Sequence, residues 1–458
     1  MSGKRPKIQL LLAFAAEGRD EFPRTAEEGT EPLAAKQESP SPTQTNSLME
    51  EVCQRDNLWK ALKRVQANKG APGVDGMTVR QLPRYLRRHW PKIREQLLAG
   101  TYQPRPVKRV EIPKPDGGVR KLGIPTALDR FIQQAVLQVL QARWDRTFSE
   151  HSYGFRPGRS AHQAVAQAQA YIAEGRGFVV DIDLEKFFDR VNHDMLMNRV
   201  ANRVEDKRML KLIRAFLSAG VMENGLVSSS EEGTPQGGPL SPLLSNLMLD
   251  DLDRELERRG LRFVRYADDC NIYVRSRRAG DRVMQSVTRF ITDKLRLKVN
   301  QSKSAVARPA ERQFLGFSFT SGRRPRRRIA PKSIRRFKKR VRELTKRNRG
   351  VSLERMVEQL RRYLTGWRGY FGFCETRSVL KGLDSWIRRR LRCFQWKQWK
   401  RGKTRFAELR KRGVGKDLAA QTAGSPRGPW HLSRSPALSI ALPGTYFDSL
   451  GLPHLSDI

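Results

Sequence analysis

The chain has 458 residues, more than one hydrophobic core usually holds, and its 38% hydrophobic content is enough for packed domains. Its formal net charge is +42, and residues 1–50 carry a net −2, which leaves +44 for the remainder. A body that basic repels itself unless it meets a polyanion, so nucleic acid is favoured over the bland alternative of a solubilising surface. No stretch approaches the roughly 18 apolar residues of a membrane span. The run IQLLLAFAA near the N-terminus is followed by no convincing cleavage site, so a cytoplasmic location is expected. Cys53, Cys270, Cys374 and Cys393 form no C-x-x-C pair, which excludes a zinc knuckle or a disulfide framework.

In chain order, residues 1–47 read as a disordered extension rich in Glu, Pro, Ser and Thr. Helical spacing begins near Leu48 and runs past Trp59 and Leu62. The glycine-punctuated NKGAPGVDGMTVRQL leads into a further helix, for which Thr78 is the expected N-cap. Val107–Ile112 and Val119–Ile124 read as a hairpin across Pro-Asp-Gly-Gly, and Leu128–Phe148 as a helix. GFVVDIDLEKFFDRV starts as a buried strand. GTPQGGPLSPLLSNLMLDDLDREL is a loop feeding an amphipathic helix, RFVRYADDCNIYVRS is a hairpin, and 281–295 is helical. From residue 321 the composition turns strongly cationic. Leu353, Met356, Val357, Leu360, Tyr363 and Leu364 then form one helical stripe. Trp367, Tyr370 and Phe371 suit either RNA stacking or a core. The tail 401–458 is rich in Pro and Gly, with few periodic stretches. Strand and hairpin elements followed by helices predict an α+β fold with a separate helical domain.

Three aspartates stand beside strand-like runs: Asp183 after FVVDI, and the adjacent Asp268 and Asp269 after FVRY. Neighbouring carboxylates repel, and burying them unneutralised is costly. A divalent cation reverses that cost, and Mg²⁺ takes hard oxygen ligands of this kind. An isolated Asp-Asp is more often a solvated turn. On spacing alone Asp181 and Asp183 cannot be told apart, since both flank Ile182.

YADD at 266–269 matches the Tyr-x-Asp-Asp box of reverse transcriptases. With it, in order, stand NKGAPGVDGMT, IPKPDGGVRKLGIPTALDR, HSYGFRPGRSAHQAV, DIDLEKFFDRVNHD and PQGGPLSPLLSNLML. RRYLTGWRGYFGF and the basic stretch after it follow. Together these resemble bacterial group II intron-encoded reverse transcriptases with a maturase, or thumb, domain. The resemblance implies a right-hand fingers–palm region at 48–320, a helical thumb/maturase domain at 321–400 and its extension at 401–458. It implies RNA-directed DNA polymerisation, with Asp183, Asp268 and Asp269 catalytic and holding two Mg²⁺ together with the Leu184 carbonyl, and Asp268 the more direct ligand of the adjacent pair. It places Phe188 as a steric gate, Gln236 against the nucleotide, and Lys114 and Arg120 on the triphosphate. Arg335, Arg336, Lys338 and Lys339 are expected on RNA phosphates. The implied partners are group II intron RNA, an RNA template with a DNA primer, dNTPs and target DNA; homodimerisation is left open. A C-terminal DNA-endonuclease domain is not expected, because the paired Cys and His are missing. Two rivals are a splicing cofactor that binds RNA without polymerising and a reverse transcriptase serving its host, for example in phage defence.

Overall fold

In the computed structural model, residues 47–113, 119–223, 226–228, 233 and 237–457 are described. All but the last residue of the expected N-terminal extension lies outside them, as do Lys114 and Gln236. The chain is α+β and divides into two compact units. One comprises Met1–Ala164, Val180–Ile272 and Arg278–Val306, the other Val165–Val179, Tyr273–Arg277 and Ala307–Ile458.

The first unit opens with helices α1 (Leu48–Val52), α2 (Arg55–Ala67) and α3 (Leu82–Ala99). Thr78 does not cap α3. It lies one turn upstream; the residue before the helix is Gln81, whose side chain makes no cap bond and accepts instead from the Thr78 amide and hydroxyl. The expected hairpin forms as antiparallel β1 (Val107–Pro113) and β2 (Val119–Ile124), in register from Lys108 opposite Ile124 to Pro113 opposite Val119, and β1 also pairs parallel with β4 (Val221–Glu223), which pairs antiparallel with β5 (Leu226–Ser228). Helix α4 (Ala127–Trp144) is shorter than its apolar pattern, because Asp145–Thr147 tightens into a 3₁₀ turn. Its start is fixed by Thr126, whose hydroxyl accepts from the Asp129 amide and donates to the Asp129 carboxylate at 2.6 Å. This is a reciprocal cap that satisfies an otherwise orphan helix donor.

The central sheet has strand order β6–β7–β3–β8, from Arg262–Tyr266, Asp269–Val274, Phe178–Ile182 and Ala305–Ala307. Val179, Val180 and Ile182 are all buried and Asp181 is half-buried, so β3 is apolar apart from one carboxylate near its end. Helix α9 (Ser241–Arg258) is buried on most sides, including Ser245, Asn246, Asp250 and Asp253 among its leucines. The helices between α4 and α9 are α5 (Ala161–Ala173), α6 (Phe187–Arg190), α7 (His193–Ala201) and α8 (Lys207–Ser218); α10 (Arg277–Leu295) follows β7 and begins four residues before the pattern suggested.

In the second unit, β9 (Phe317–Phe319) pairs antiparallel with β10 (Arg327–Ile329), and α11 (Pro331–Leu344), α12 (Leu353–Phe371) and α13 (Arg377–Gln398) follow. The α12 stripe buries Leu353, Met356, Val357, Leu360 and Leu364, while Tyr363 is half-buried. Trp367 is core: its ring lies 4.3 Å from Phe337 and 4.8 Å from Phe371. The Tyr370 hydroxyl donates to Leu315 O. The tail is far more ordered than its composition suggests, with short helices at Gly402–Lys411, Lys416–Ala423, Pro429–Leu432, Pro436–Ala441 and Gly444–Ser449. Pro429 and Pro436 sit in first turns, where their missing amide is harmless. Asp384 of α13 accepts from the Leu455 and Ser456 amides and thereby clamps the chain end.

Leu360→Ala removes a side chain with no exposed surface, so it lowers stability by about 2–5 kcal/mol. Glu358→Ala on the opposite, exposed face changes it by less than about 0.5 kcal/mol. Denaturant titration followed by Trp fluorescence checks both, since Trp367, Trp386, Trp396, Trp399 and Trp430 all lie in this unit.

Candidate active site

The three aspartates are brought to one place by two chain reversals. After Ile182, β3 ends and the chain is pinned from outside: the Asn300 amide donates to Asp183 O at 2.8 Å, and the Asp183 amide donates to Ser304 Oγ at 3.0 Å. Leu184 bridges to Val299, and the Glu185 amide donates to Lys298 O. Lys186 then takes φ +49° and turns the chain into α6. Phe187 points into the core, while Phe188 is half-buried and faces the cleft.

Asp268 and Asp269 lie at the β6–β7 reversal, a two-residue turn of Ala267 and Asp268. Tight hairpin turns require a positive φ, and Ala267 supplies it at +57°, a conformation unfavourable for a residue with a Cβ. Arg265 holds it there. This side chain has no exposed surface, and all five of its N–H donors are used. Nε and Nη2 grip the Asp253 carboxylate at 2.7 and 2.5 Å. Nη1 donates to Asn246 Oδ1 at 3.0 Å and to the Ala267 carbonyl at 2.9 Å, and Nη2 also donates to Ser152 Oγ at 2.8 Å. Burial pushes the Asp253 carboxyl up and opposes the charge on Arg265 as well, but the attraction of Asp253 wins and keeps the guanidinium charged. From the other side Gly154 presses on the turn, where a Cβ would collide with the Ala267 amide nitrogen, and Gly154 O accepts from Asn246 Nδ2 at 2.9 Å.

Asp183, Leu184, Phe188, Asp268 and Asp269 line a single cleft of about 1150 Å³ within the first unit, together with Arg64, Lys121, Arg130 and Lys303. Asp269 is open to the water of the cleft but walled by protein. That desolvation first, then the Asp268, Asp181 and Asp183 carboxylates in that order, push its carboxyl up to about 7, against a smaller opposing effect of Lys303. Lys303 Nζ stands 3.3 Å from Asp183 Oδ2. Among the described residues no three acidic, His or Cys side chains already form a closed metal cage. The donor set nevertheless suits a hard divalent cation: four carboxylates bear on one another with a lysine as partial counter-charge, and a bound cation would relieve the repulsion that raises Asp269.

Of the remaining expected residues, Lys114 and Gln236 lie outside the described residues, and Arg120 stands opposite Ile112 on β2. The nearest described residues on either side of Gln236 are two glycines. Gly233, at φ +92°, packs on the Phe188 and Asp189 backbone. Gly237, at φ +141°, packs on Gly123 O. Arg335, Arg336, Lys338 and Lys339 are on α11 of the second unit; the first two and Lys339 are exposed, while the Lys338 ammonium sits 5.7 Å above the Trp386 ring. Sequence reasoning missed Lys303, the Arg265 network and a second-unit pocket of about 750 Å³ lined by Lys339, Arg342, Lys346, Arg347, Arg390 and Lys397. A usable signal existed only for Arg265, a charged residue inside the otherwise apolar strand FVRY.

Residues 112–319 match the family described as "Reverse transcriptase (RNA-dependent DNA polymerase)", and residues 334–413 match "Group II intron, maturase-specific domain". Protein YkfC of Escherichia coli (strain K12) is 40% identical over 220 residues, covering 47% of this chain and 58% of YkfC. The group II intron-encoded protein LtrA of Lactococcus lactis subsp. cremoris is 36% identical over 211 residues, covering 46% of this chain and 35% of LtrA. The chain thus spans from about a third to just over half of these relatives' lengths. A solved chain of a "Partial Cas6-RT-Cas1--Cas2 complex" aligns at 26% identity with a TM-score of 0.36, covering 57% of this chain and 46% of that one.

Asp253→Ala strands the buried Arg265 charge and destabilises the protein by about 3–5 kcal/mol in chemical denaturation. Asp269→Asn acts in the opposite direction. In metal-free protein at neutral pH it relieves repulsion and stabilises by on the order of 1 kcal/mol, after discounting for the solvent in the cleft. If Mg²⁺ binds this cleft, the upward thermal shift it gives the parent protein is expected to be smaller in this variant.

Proposed function

The chain belongs to the group II intron-encoded reverse transcriptase and maturase family, and from that premise we propose that it is an RNA-directed DNA polymerase with maturase activity. The observation carrying this reading is the convergence of Asp183, Asp268 and Asp269 in one cleft, with the Asp269 carboxyl raised to about 7 by desolvation first and then by the neighbouring carboxylates. In this reading these carboxylates and the Leu184 carbonyl hold two Mg²⁺ ions. When bound, the ions supply charge neutralisation and an activated primer oxygen for in-line phosphoryl transfer. The rigid turn fixes where Asp268 and Asp269 present their oxygens, and the backbone bonds to Asn300 and Ser304 fix Asp183. Phe188 underlies the sugar of the incoming dNTP and excludes a 2′-OH, Gln236 contacts that nucleotide, and Lys114 and Arg120 receive its triphosphate. The fingers and palm correspond to residues 48–320, the thumb/maturase domain to 321–400 and its extension to 401–458.

The maturase half rests on the second unit. Lys339, Arg342, Lys346, Arg347, Arg390 and Lys397 line one concave pocket with a single acid, Glu343, which is paired with Arg340. The charge crowding is such that burial, with Arg342 and Arg347, lowers the pKa of Arg390. Such a pocket takes RNA phosphates, with Arg335, Arg336 and Lys338 extending the contact along α11. Intron RNA, a primed RNA template, dNTPs and target DNA are the corresponding partners. No described helix is long and apolar enough to cross a membrane.

Substituting both Asp268 and Asp269 with Ala abolishes primer extension on an RNA template and leaves RNA binding intact; residual DNA synthesis at the parental rate refutes the assignment. Lys346→Ala with Arg347→Ala weakens RNA binding across sequences and flattens the salt dependence by about one unit of slope per lost phosphate contact. Filter binding at a series of salt concentrations reads that slope, and an unchanged slope removes the pocket from the RNA interface.

A further inference from the structure

The cleft contains an aromatic side chain to which no role has been given. Phe155 is 43% exposed, although it lies among the residues lining the aspartate cleft. Its backbone has φ +60°, a region that costs a bulky residue roughly 1–2 kcal/mol and is held only where the surroundings over-determine it.

Those surroundings are firm. Gly154, immediately before, is wedged against the Tyr266–Ala267 peptide and bonded to Asn246. Arg156, immediately after, is 8% exposed, and its guanidinium bonds Ser149 O, Ser152 O and both the carboxylate and the carbonyl of Asp145. Gln141 Nε2 donates to Phe155 O. With both neighbours locked, the Phe155 backbone is held in its positive-φ conformation. Nearby Phe148 and Tyr153, by contrast, are 3% and 6% exposed and satisfy the ordinary demand for burial. The chain therefore carries two unfavourable terms together, a strained backbone and a wetted ring, in order to present an aromatic face beside Asp183, Asp268 and Asp269. Arg64, Lys121 and Arg130 line the same cleft. An aromatic face among cations that track phosphates is the composition of a single-strand nucleic-acid site.

We propose that the Phe155 ring is a stacking platform for an unpaired nucleobase held in the cleft. This deepens the polymerase reading and rests on it. Two sources share that chemistry, an unpaired base of the template strand and the base of an incoming nucleotide, and the experiment separates them.

The full chain is compared with Phe155→Ala, Phe155→Leu, Phe155→Trp and Phe155→Gly. Binding is read from a single-stranded RNA of about eight nucleotides carrying 2-aminopurine, whose fluorescence reports stacking, and the KM for each dNTP is measured separately at saturating primer–template. Phe155→Ala and Phe155→Leu are expected to lose about 5- to 100-fold in the affected constant, and Phe155→Trp to restore it. A loss in RNA affinity assigns the template base; a loss confined to KM for dNTP assigns the nucleotide. Phe155→Gly is the control for folding: it relieves the positive-φ strain, so its thermal midpoint holds or rises while binding falls. Leu performing as well as Trp, or Ala matching the parent in both constants, overturns the proposal. Failure of the polymerase reading is distinct, since the parent chain itself would then not extend a primer.

Discussion

The hydrogen-bonding capacity of one buried guanidinium constrains much of the first unit. Arg265 has five donors, no exposed surface and no water to fall back on, so five acceptors must converge on it. Two come from Asp253 and one from Asn246, seven residues apart on α9. Two helical turns separate them, which puts both on the same face. The fourth is Ser152, which draws residues 149–156 alongside β6. The fifth is the carbonyl of Ala267, in the turn that carries the two adjacent aspartates. A left-handed alanine beside two mutually repelling carboxylates is a poor local choice, and it persists because helix, loop and strand are tied to one cation beneath it.

This arrangement separates two electrostatic tasks. Below the turn, an Arg–Asp contact provides rigidity, with all five guanidinium donors used and both Asp253 oxygens bonded. Above it, desolvation first, then the Asp268, Asp181 and Asp183 carboxylates, raise the Asp269 carboxyl. Lys303 offers Asp183 partial relief from a largely exposed position, where it can be displaced at little cost. Carboxylates crowded this closely need a rigid base to stay in place, and the Arg265 network supplies it.

The second unit solves a different problem with the opposite charge. Its aromatic residues Phe317, Phe337, Trp367 and Phe371 pack on each other, and the cations are carried on the outer faces of α11 and α13. Trp386 is covered by Lys338, Arg342 and Arg390 at 5.5 to 5.8 Å, so part of the cationic surface is held in place by an aromatic ring.

By itself the sequence determined the α+β class, the β1–β2 hairpin, the α12 stripe and the candidate aspartates, because hydrophobic period and turn chemistry are local properties. Only the tertiary structure decided that Trp367 belongs to the core. It ordered the tail at Pro429 and Pro436, where the prolines begin short helices that longer-range contacts such as the Asp384 clamp stabilise. It put Gln81 and not Thr78 immediately before α3, with the Gln81 side chain bonded back to the Thr78 amide and hydroxyl. It also joined Arg265 to Asp253, Asn246 and Ser152, partners 12, 19 and 113 residues away, and set Lys303 beside Asp183. Those contacts depend on which elements meet in space, and no window of the chain contains that information.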